Sequence, residues 1–220
     1  MNSINEIEIT QDVFQHPCAV MIAGPSMSGK TTLLKSILKQ NSTLINPAPT
    51  NIYYCYSINQ PLFEEFAEIK PKIKFIKGII DVDQINEKEN NLIILDDLMK
   101  EAEKDPGILD LFTKDCHHKN ITAFFLTQNL FQQGKNCRTI SLNCHYLIIL
   151  NNPRDRQQIN CLARQLYPDN VNYFMEVHQD AVEHQKYGHL LIDLHQKTDR
   201  RTRLQTNIDK DRCFYIPKDC

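Results

Sequence analysis

A phosphate-binding motif is the clearest chemical signal in the sequence. Residues 24–31 read Gly-Pro-Ser-Met-Ser-Gly-Lys-Thr and match the pattern G-x-x-x-x-G-K-[ST] in full. Glycines let the backbone wrap around phosphate oxygens with its N–H groups pointing inward, and a following helix start adds partial positive charge. We therefore predict a nucleoside triphosphate site in which Lys30 reaches the β- and γ-phosphates and the Thr31 hydroxyl binds Mg²⁺. The residues expected to bind the nucleotide are Gly24, Pro25, Ser26, Met27, Ser28, Gly29, Lys30, Thr31 and Thr32.

A pair of carboxylates follows a short apolar run later in the chain. Leu92–Leu95 is followed directly by Asp96 and Asp97. A buried strand that ends in Asp delivers its carboxylate to the carboxyl edge of a parallel sheet, where a phosphate loop also lies. We expect Asp96 to hold Mg²⁺ through water, and Asp97 to orient and deprotonate an attacking water. A carboxylate placed in this way favours hydrolysis over phosphoryl transfer to a metabolite.

Two further side chains are candidates for acting on the γ-phosphate. A predicted strand ends in Thr-Gln-Asn, which makes Gln128 the expected sensor of the γ-phosphate or of the lytic water. An arginine downstream could neutralise transition-state charge on a nucleotide that a neighbouring subunit binds. Arg138, in the loop-like segment Gln132–Thr139, is the preferred candidate for this arginine finger. Arg154 and Arg156, which open the next predicted helix, are the alternatives.

The elements that must position these residues alternate between strands and helices. Short apolar runs rich in Ile, Val, Phe and Tyr are typical of strands covered on both faces of a largely parallel sheet. Helix-like stretches lie between them, so the predicted fold class is α/β. The predicted strands are Cys18–Ala23, Ile52–Tyr56, Ile73–Ile76, Leu92–Leu95, Ile121–Leu126, Tyr146–Leu150 and Leu190–Leu194, with Arg203–Ile208 forming a hairpin with the last of these. The predicted helices are Lys30–Gln40, Pro61–Lys70, Ile108–Lys119, Arg154–Leu166 and Val171–Gln185.

Composition bounds the class of protein. The chain has 220 residues, of which 41% are hydrophobic and 24% charged, and these values exclude a disordered tail or a fibrous repeat. The net charge of −2 excludes a protein that coats nucleic acid through bulk charge, but it leaves room for a local basic patch. We interpret residues 1–220 as one phosphate-loop ATPase domain with a core at about 14–208.

Cysteine usage and the apolar runs predict the compartment. The eight cysteines form no C-x-x-C pair, and several lie in strand-like runs where a reduced thiol acts as a small hydrophobe. Reduced thiols indicate an intracellular protein. The segment Met1–Thr10 does not have the pattern of a secretory signal peptide, and the apolar runs are far shorter than a membrane span. We therefore expect no membrane partner.

The order of the motifs goes beyond a generic nucleotide-binding protein. GPSMSGKT, LIILDD, FFLTQNLF, LIILNNPRDRQQI, YGHLLIDL and RLQTNI follow one another along the chain. This set resembles the genome-packaging ATPases of the FtsK–HerA superfamily, in particular the branch of poxvirus-like large DNA viruses, virophages and Maverick/Polinton elements. The resemblance runs from about Phe14 to Ile208, and its most specific parts are the TQNLF segment and the NNPRD helix start.

The resemblance implies a RecA-like core that assembles into rings, typically hexamers. Such rings hydrolyse ATP with Mg²⁺ at subunit interfaces and translocate double-stranded DNA into a preformed capsid. The implied partners are double-stranded DNA, further copies of the chain and capsid proteins, in the cytoplasm or nucleus of a host cell. The implied roles are nucleotide and Mg²⁺ binding for Lys30 and Thr31, Mg²⁺ binding for Asp96, hydrolytic base for Asp97, sensor for Gln128 and finger in trans for Arg138. Many members carry Glu where this chain has Asp97, whose side chain is shorter by one methylene.

Two basic clusters are candidates for contact with DNA phosphates. A translocase should grip phosphates without reading bases, using Lys and Arg side chains. One cluster is Lys197–Arg203, in the presumed hairpin turn, and the other consists of Lys70, Lys72, Lys74 and Lys77. Either cluster could equally be a solvated surface. The adjacent His117 and His118 cannot both face one ligand on a helix, so we interpret them as surface residues rather than metal ligands.

Two other functions stay open on the sequence. A nucleoside or nucleotide kinase also uses a phosphate loop in a chain of about this length, although the Asp96–Asp97 pair argues against it. A nucleotide-gated assembly protein would bind ATP without hydrolysing it. Phosphate release in the absence of an acceptor separates a hydrolase from a kinase, and the effect of Asp97→Asn separates a motor from a scaffold.

Overall fold

One large mixed sheet forms the centre of the structure. The computed structural model describes residues 12–57, 61–131, 135–154, 156–183 and 185–217. The strands found there are β1 (Phe14–Gln15), β2 (Ala19–Ala23), β3 (Ile45–Asn46), β4 (Asn51–Tyr56), β5 (Ile73–Lys77), β6 (Asn91–Asp96), β7 (Ile121–Thr127), β8 (Tyr146–Leu150), β9 (His189–Asp193), β10 (Leu204–Thr206) and β11 (Cys213–Tyr215). The α-helices are α1 (Lys30–Lys39), α2 (Asn41–Leu44), α3 (Met99–Lys104), α4 (Pro106–Asp110), α5 (Cys116–His118), α6 (Lys135–Asn143), α7 (Arg156–Leu166) and α8 (Val171–Glu183). A π-helical turn, Leu111–Asp115, joins α4 to α5, and 3₁₀ turns occur at Pro61–Phe66, Val82–Gln84 and Arg200–Thr202.

The strand order confirms the predicted, largely parallel α/β fold. Along the sheet the order is β11-β10-β9-β8-β2-β7-β6-β4-β5, while β1 and β3 form a separate parallel pair. All pairs from β8 to β5 are parallel. The strand β9 is antiparallel to β8, and β10 is antiparallel to both β9 and β11. The predicted hairpin is therefore present as β9 and β10, extended by a third strand.

Helices cover both faces of the sheet, because the central strands alternate their side chains between two apolar layers. In β2, Val20 and Ile22 belong to the layer that contains α1, whereas Met21 belongs to the layer on the other face. Every residue of β2, β6, β7 and β8 is buried. Double-sided burial explains why these strands appear in the sequence as continuous apolar runs.

Several predicted helices differ in the structure. The stretch Ile108–Lys119, predicted as one helix, is divided into the end of α4, the π-helical turn Leu111–Asp115 and α5. The stretch Pro61–Lys70 forms only a 3₁₀ turn over Pro61–Phe66, and α7 begins at Arg156 rather than at Arg154. The segment Gln132–Thr139 was expected to be a loop, but α6 begins at Lys135, and residues 132–134 lie outside the described part of the chain. The sequence of α6 is poor in strong helix formers, so intrinsic helix propensity does not predict this helix.

The described cysteines are free, as the sequence predicted. Burial raises the pKa of the Cys18 thiol to about 12 and that of Cys55 to about 11, so both remain protonated at neutral pH. Cys220 and the segment Met1–Thr10 lie outside the described residues. Within the described ranges, none of the helices is long and apolar enough to cross a bilayer.

Candidate functional site

The phosphate-loop motif lies between a buried strand and a helix, as predicted. The strand β2 ends at Ala23 and α1 begins at Lys30, so residues 24–29 form the connection. Gly29 has φ +100°, a left-handed conformation that glycine adopts without strain, and its carbonyl accepts the first helical hydrogen bond from Leu33 N at 2.9 Å. No described side chain caps this helix start. Its first N–H groups are therefore available to an anion.

The loop encloses a small polar cradle. A Cβ atom on Gly24 would lie 2.7 Å from Ser28 Oγ and 3.0 Å from Leu150 Cβ. The backbone at Gly24 therefore packs too closely on its neighbours to leave room for a side chain. The amide of Ser28 donates to the carbonyl of Pro25 at 3.2 Å, which closes the turn. The Ser28 hydroxyl is buried and has no hydrogen-bond partner among the described residues. A buried hydroxyl without a partner in a glycine-bounded loop fits a site for a polar ligand.

Lys30 lies among the charged groups that the sequence assigned to the same site. Its Nζ donates to the carbonyl oxygens of Gly24 at 2.7 Å and of Pro25 at 2.9 Å. Burial lowers the pKa of Lys30, and the negative charges of Asp96 and Asp97 partly offset this effect. Coupling of this kind requires proximity, so the structure brings Lys30, Asp96 and Asp97 together.

The position of Asp96 follows from strand register. In the sheet, Asp96 is opposite Leu126, and Ala23 is opposite Thr127. The ends of β2, β6 and β7 therefore reach the same edge of the sheet, which we call the carboxyl edge. Asp96 is buried, with only 6% of its surface exposed.

A tyrosine that sequence reasoning missed holds the Asp96 carboxylate. Tyr54, on β4, donates its hydroxyl hydrogen to Asp96 Oδ2 at 2.7 Å. Burial, together with the Asp96 charge and this hydrogen bond, raises the pKa of Tyr54 far above its usual value, so the hydroxyl remains a donor. The ring of Tyr54 packs against Phe66 and Phe75, with centroids 5.6 and 5.5 Å away. The only sequence signal for this contact was the presence of a tyrosine, which carries a hydroxyl, near the end of a predicted strand.

Asp97 and Gln128 lie in the turns beside the loop. Both are exposed, and Asp97 has a left-handed backbone with φ +55° between β6 and α3. Gly24 N donates to Thr127 O at 3.1 Å, which ties the first residue of the loop to the residue before Gln128. The Thr127 hydroxyl donates to Asn129 O at 3.0 Å and fixes this turn.

Gln158 joins the two segments that carried the family resemblance. Its Oε1 accepts hydrogen bonds from Leu130 N at 3.1 Å and from Phe131 N at 3.2 Å. The TQNLF segment after β7 is thereby fixed to α7, which follows the NNPRD turn. The amide of Gln158 thus gives these distant motifs a shared structural role, which the sequence alone did not show.

Comparisons with known proteins agree with this geometry. The chain matches the family model described as poxvirus A32 protein over residues 8–193, which is well over half of its length. The chain belongs to the poxvirus A32 family. This result confirms the resemblance to the packaging ATPases of poxvirus-like viruses. No curated protein sequence matches the chain.

Solved structures of viral ATPases share the fold of this A32-family chain. The genome packaging NTPase B204 from Sulfolobus turreted icosahedral virus 2, in complex with AMPPCP, has a TM-score of 0.56 at 14% identity, covering 83% of this chain and 95% of that chain. Its complex with ATP-gammaS gives a TM-score of 0.55 at 14% identity with the same coverage. B204 from Sulfolobus turreted icosahedral virus, a DNA-packaging ATPase, gives 0.55 at 13% identity, covering 83% and 95%. The matches show the RecA-like P-loop ATPase fold that the sequence predicted.

Arg138 of this A32-family chain lies on a helix rather than in a loop. The helix α6 is fixed to α3, because Cys137 N donates to Glu103 Oε1 at 3.0 Å and Asn136 Nδ2 donates to Glu103 O at 3.1 Å. The side chain of Arg138 is exposed on α6. The structure therefore places Arg138 on the outer surface, on a helix anchored to the element that follows Asp97. Arg154 and Arg156 are also exposed.

The two basic clusters lie in different places. The turn containing Lys197–Arg203 follows the end of β9, at the edge of the sheet opposite the phosphate loop. In it, Arg201 forms an ion pair with Asp199 at 2.7 Å, which lowers the pKa of Asp199 to about 2. Lys70, Lys72, Lys74 and Lys77 are exposed along the edge strand β5 and the residues before it. His117 and His118 are exposed, as expected for surface residues.

Proposed function

We propose that this chain is an ATP-hydrolysing motor that translocates double-stranded DNA to package a viral or virus-like genome. The observation that carries the proposal is the strand register, which brings the phosphate loop with Lys30, after β2, and the Asp96–Asp97 pair, at the end of β6, to the same carboxyl edge of the sheet. Membership of the poxvirus A32 family and the fold shared with viral packaging ATPases support it. The alternatives, a metabolite kinase or a scaffold that only binds nucleotide, have no comparable support in the structure.

The residues of the loop fit a nucleotide with Mg²⁺. The cradle of residues 24–29, with its buried Ser28 hydroxyl, would hold phosphate oxygens, and Lys30 would contact the β- and γ-phosphates. Thr31 and Asp96 would hold Mg²⁺, which neutralises phosphate charge when bound. Tyr54 orients the Asp96 carboxylate for this role through its hydrogen bond.

Asp97 and Gln128 are proposed to act on the attacking water. Asp97 would accept its proton, and Gln128 would orient it from the neighbouring turn. Asp97 is one methylene shorter than the Glu of many related ATPases. Asp97 directly follows Asp96 at the end of β6, at the same edge of the sheet as the loop.

Ring assembly is part of the proposal, because a finger from a neighbour completes the site. Arg138 is exposed on α6 and would reach the nucleotide of an adjacent subunit, most simply in a hexamer. We expect Arg138→Ala to abolish turnover while leaving ATP binding intact. Mixing Arg138→Ala with Asp97→Asn subunits should restore part of the activity, because some interfaces then contain both intact side chains.

The mixing experiment has internal controls. Arg154→Ala and Arg156→Ala, the two alternative arginines, should retain turnover if Arg138 is the finger. Turnover in mixtures is measured as phosphate release at fixed total protein. The absence of rescue at every mixing ratio, with rings still visible by electron microscopy, would count against Arg138.

The proposed external partners are double-stranded DNA and capsid proteins inside a host cell. The lysines around β5 and the Lys197–Arg203 turn are the candidate phosphate contacts. Within the turn, Arg203 already donates to backbone carbonyls of His195 and Thr198, and Arg201 is paired with Asp199. Lys70, Lys72 and Lys77 are exposed on or just before the edge strand β5, while Lys74 contacts Asn51 Oδ1 and the Tyr53 ring.

Phosphate release from ATP tests the function directly. The purified chain should release phosphate without an acceptor molecule, and added duplex DNA should raise the rate severalfold. Asp97→Asn should bind ATP and release no phosphate above background. Turnover only with a nucleoside acceptor would indicate a kinase, and ring formation unaffected by Asp97→Asn with no hydrolysis in the unaltered chain would indicate a scaffold.

A further inference from the structure

A tyrosine from a distant part of the chain packs directly on the phosphate loop. A Cβ atom on Gly29 would lie 2.3 Å from Tyr187 Cδ1 and 2.5 Å from Tyr187 Cγ, so the aromatic ring occupies the space that a side chain at Gly29 would need. Gly29 is thus required for its left-handed φ and also for the approach of this ring. The ring is not buried by this contact, since 40% of Tyr187 stays exposed. A half-exposed aromatic surface therefore borders the loop.

The turn that carries Tyr187 is fixed by backbone packing. It connects α8 to β9, and Gly188 N donates to Gln185 O at 3.0 Å. A Cβ atom on Gly188 would lie 2.6 Å from Ala181 O, so only glycine lets the turn pack this closely on the end of α8. Tyr187 itself has φ +66°, which is uncommon for an aromatic residue. The fold thus holds the ring in one place beside the loop.

The position of Tyr187 in the sheet order indicates which end of a nucleotide it would meet. The strand β2, which leads into the loop, lies between β7 and β8. Asp96 and Asp97 lie beyond β7, on one flank, and they mark the metal and γ-phosphate end. Tyr187 lies two residues before β9, which lies beyond β8 on the opposite flank. A triphosphate that extends from one flank to the other would direct its nucleoside toward Tyr187.

We propose that Tyr187 is the stacking surface for the base of the bound nucleotide, with Lys186 reinforcing the contact. Lys186 Nζ lies 5.2 Å from the centroid of the Tyr187 ring, within cation–π range, so a positive charge accompanies the aromatic face. This inference rests on the nucleotide binding in the proposed function and adds a residue for the base. Stacking tolerates any base because every base has a π-face, so the site should accept ATP and GTP with similar affinity.

Comparison of ATP with inorganic tripolyphosphate tests this role. Tyr187→Ala in the full-length chain should weaken ATP binding about five- to a hundredfold, the range expected for loss of one base stack. The same variant should bind Mg²⁺–tripolyphosphate as tightly as the unaltered chain, because this ligand has no base. Tyr187→Phe should retain ATP affinity.

A matched control is available elsewhere in the sheet. Tyr53 also lies under a lysine, with Lys74 Nζ 4.7 Å from its ring centroid, but it belongs to β4 near the opposite end of the sheet. Tyr53→Ala should leave the affinity for both ligands unchanged. The chain contains no Trp, so Tyr187→Trp adds a single fluorophore whose emission ATP should quench and tripolyphosphate should not.

The outcomes separate this inference from the proposed function. Equal weakening of ATP and tripolyphosphate binding by Tyr187→Ala would show that the ring only supports the loop, and would overturn the stacking role. Unchanged binding of both ligands would overturn it as well. If the unaltered chain bound neither ligand, nucleotide binding itself would be wrong, and this inference would fail with it.

Discussion

The two ends of β2 and β7 use their polar residues in opposite ways, although His195 Nε2, after β9 at the amino edge, is also buried without a hydrogen-bond partner among the described residues. At the amino edge, where β2 and β7 begin, polar side chains bond to one another: His16 Nδ1 pairs with Thr122 Oγ1 at 2.7 Å, and His16 Nε2 pairs with Asn120 Oδ1 at 2.9 Å. At the carboxyl edge, Asp97 and Gln128 extend into solvent and the Ser28 hydroxyl is buried without a partner among the described residues. One edge uses polar groups to align strands, and the other presents them to a ligand.

Backbone conformation shows the same contrast. Met27, Asp97 and Tyr187 all have left-handed φ values, between 55° and 66°, and all three lie around the phosphate loop. Such conformations are costly for residues other than glycine and cluster at functional sites. Asn120 at the amino edge is also left-handed, but Asn tolerates this region, and its side chain bonds to His16. The comparison teaches that changes at the carboxyl edge should alter function, and changes at the amino edge should alter stability.

The largest effect is expected at Lys30. Lys30→Ala removes the lysine of the phosphate-loop motif, whose ammonium group is expected to contact the β- and γ-phosphates. ATP binding and hydrolysis should therefore fall below detection. The free energy of unfolding should change by less than about 1 kcal/mol, since the lost hydrogen bonds are to loop carbonyls. Equilibrium binding of ATP and denaturant unfolding measure the two quantities.

A lysine on the same helix provides the control. Lys39 is exposed in the last turn of α1, and Lys39→Ala should leave both binding and stability unchanged. Retained hydrolysis in Lys30→Ala would remove the assignment of the phosphate loop. A large loss of stability in that variant would instead mean that the carboxyl edge, like the amino edge, serves the fold.

A smaller effect on activity is expected at Tyr54, which connects the core to the site. Tyr54→Phe removes the hydrogen bond to Asp96 and should lower turnover about ten- to a hundredfold at limiting Mg²⁺, as for other groups that orient a metal ligand. Raised Mg²⁺ should recover part of the loss. Tyr146→Phe, at the amino edge, also removes a buried hydroxyl, which there accepts a hydrogen bond from Gln15 N at 3.1 Å.

The two Tyr→Phe variants sharpen the contrast between the edges. Both should lose about 1 kcal/mol of stability, but only Tyr54→Phe should lose turnover. Steady-state kinetics over a range of Mg²⁺ concentrations measures the difference. If Tyr146→Phe lowered turnover as much as Tyr54→Phe, the two edges would not be separable.

Local chain order explains what the sequence could predict. The phosphate loop and Gln128 each follow a buried strand directly, and Asp96 is the last residue of one. The seven apolar runs predicted as strands are all present with ends shifted by at most one residue. A parallel sheet then brings these ends to the same edge, so the site could be assembled from strand ends alone. Residue type and adjacency to a strand were sufficient there.

Contacts between distant segments could not be predicted in this way. Tyr54 and Asp96 are joined by the pairing of β4 with β6, and Tyr187 meets Gly29 only because a turn packs on the end of α8. The helix α6 was missed because tertiary contacts support it, among them the hydrogen bond to Glu103 on α3 and the burial of Cys137 and Ile140, while its own helix propensity is low. Each of these features depends on tertiary contacts that leave no periodic signal.

The smallest effect on ATP binding and turnover is expected at Thr122, where a substitution tests the amino edge. The Thr122 hydroxyl is fully buried, pairs with His16 Nδ1 and accepts a hydrogen bond from Cys18 N at 3.3 Å. Thr122→Val keeps the shape but leaves both partners unsatisfied, so the free energy of unfolding should fall by about 1–3 kcal/mol. ATP affinity and turnover, measured below the unfolding transition, should not change.

Restoring the hydroxyl decides between packing and hydrogen bonding as the cause. Thr122→Ser retains the donor and acceptor and loses only a methyl group, so it should lose less stability than Thr122→Val. Burial lowers the pKa of His16, and its Nε2 donates to Asn120 Oδ1, whereas the Thr122 hydroxyl can either donate to Nδ1 or accept from it. A Thr122→Val variant of full stability but weakened ATP binding would show that the amino edge communicates with the site, and the contrast between the edges would then be wrong.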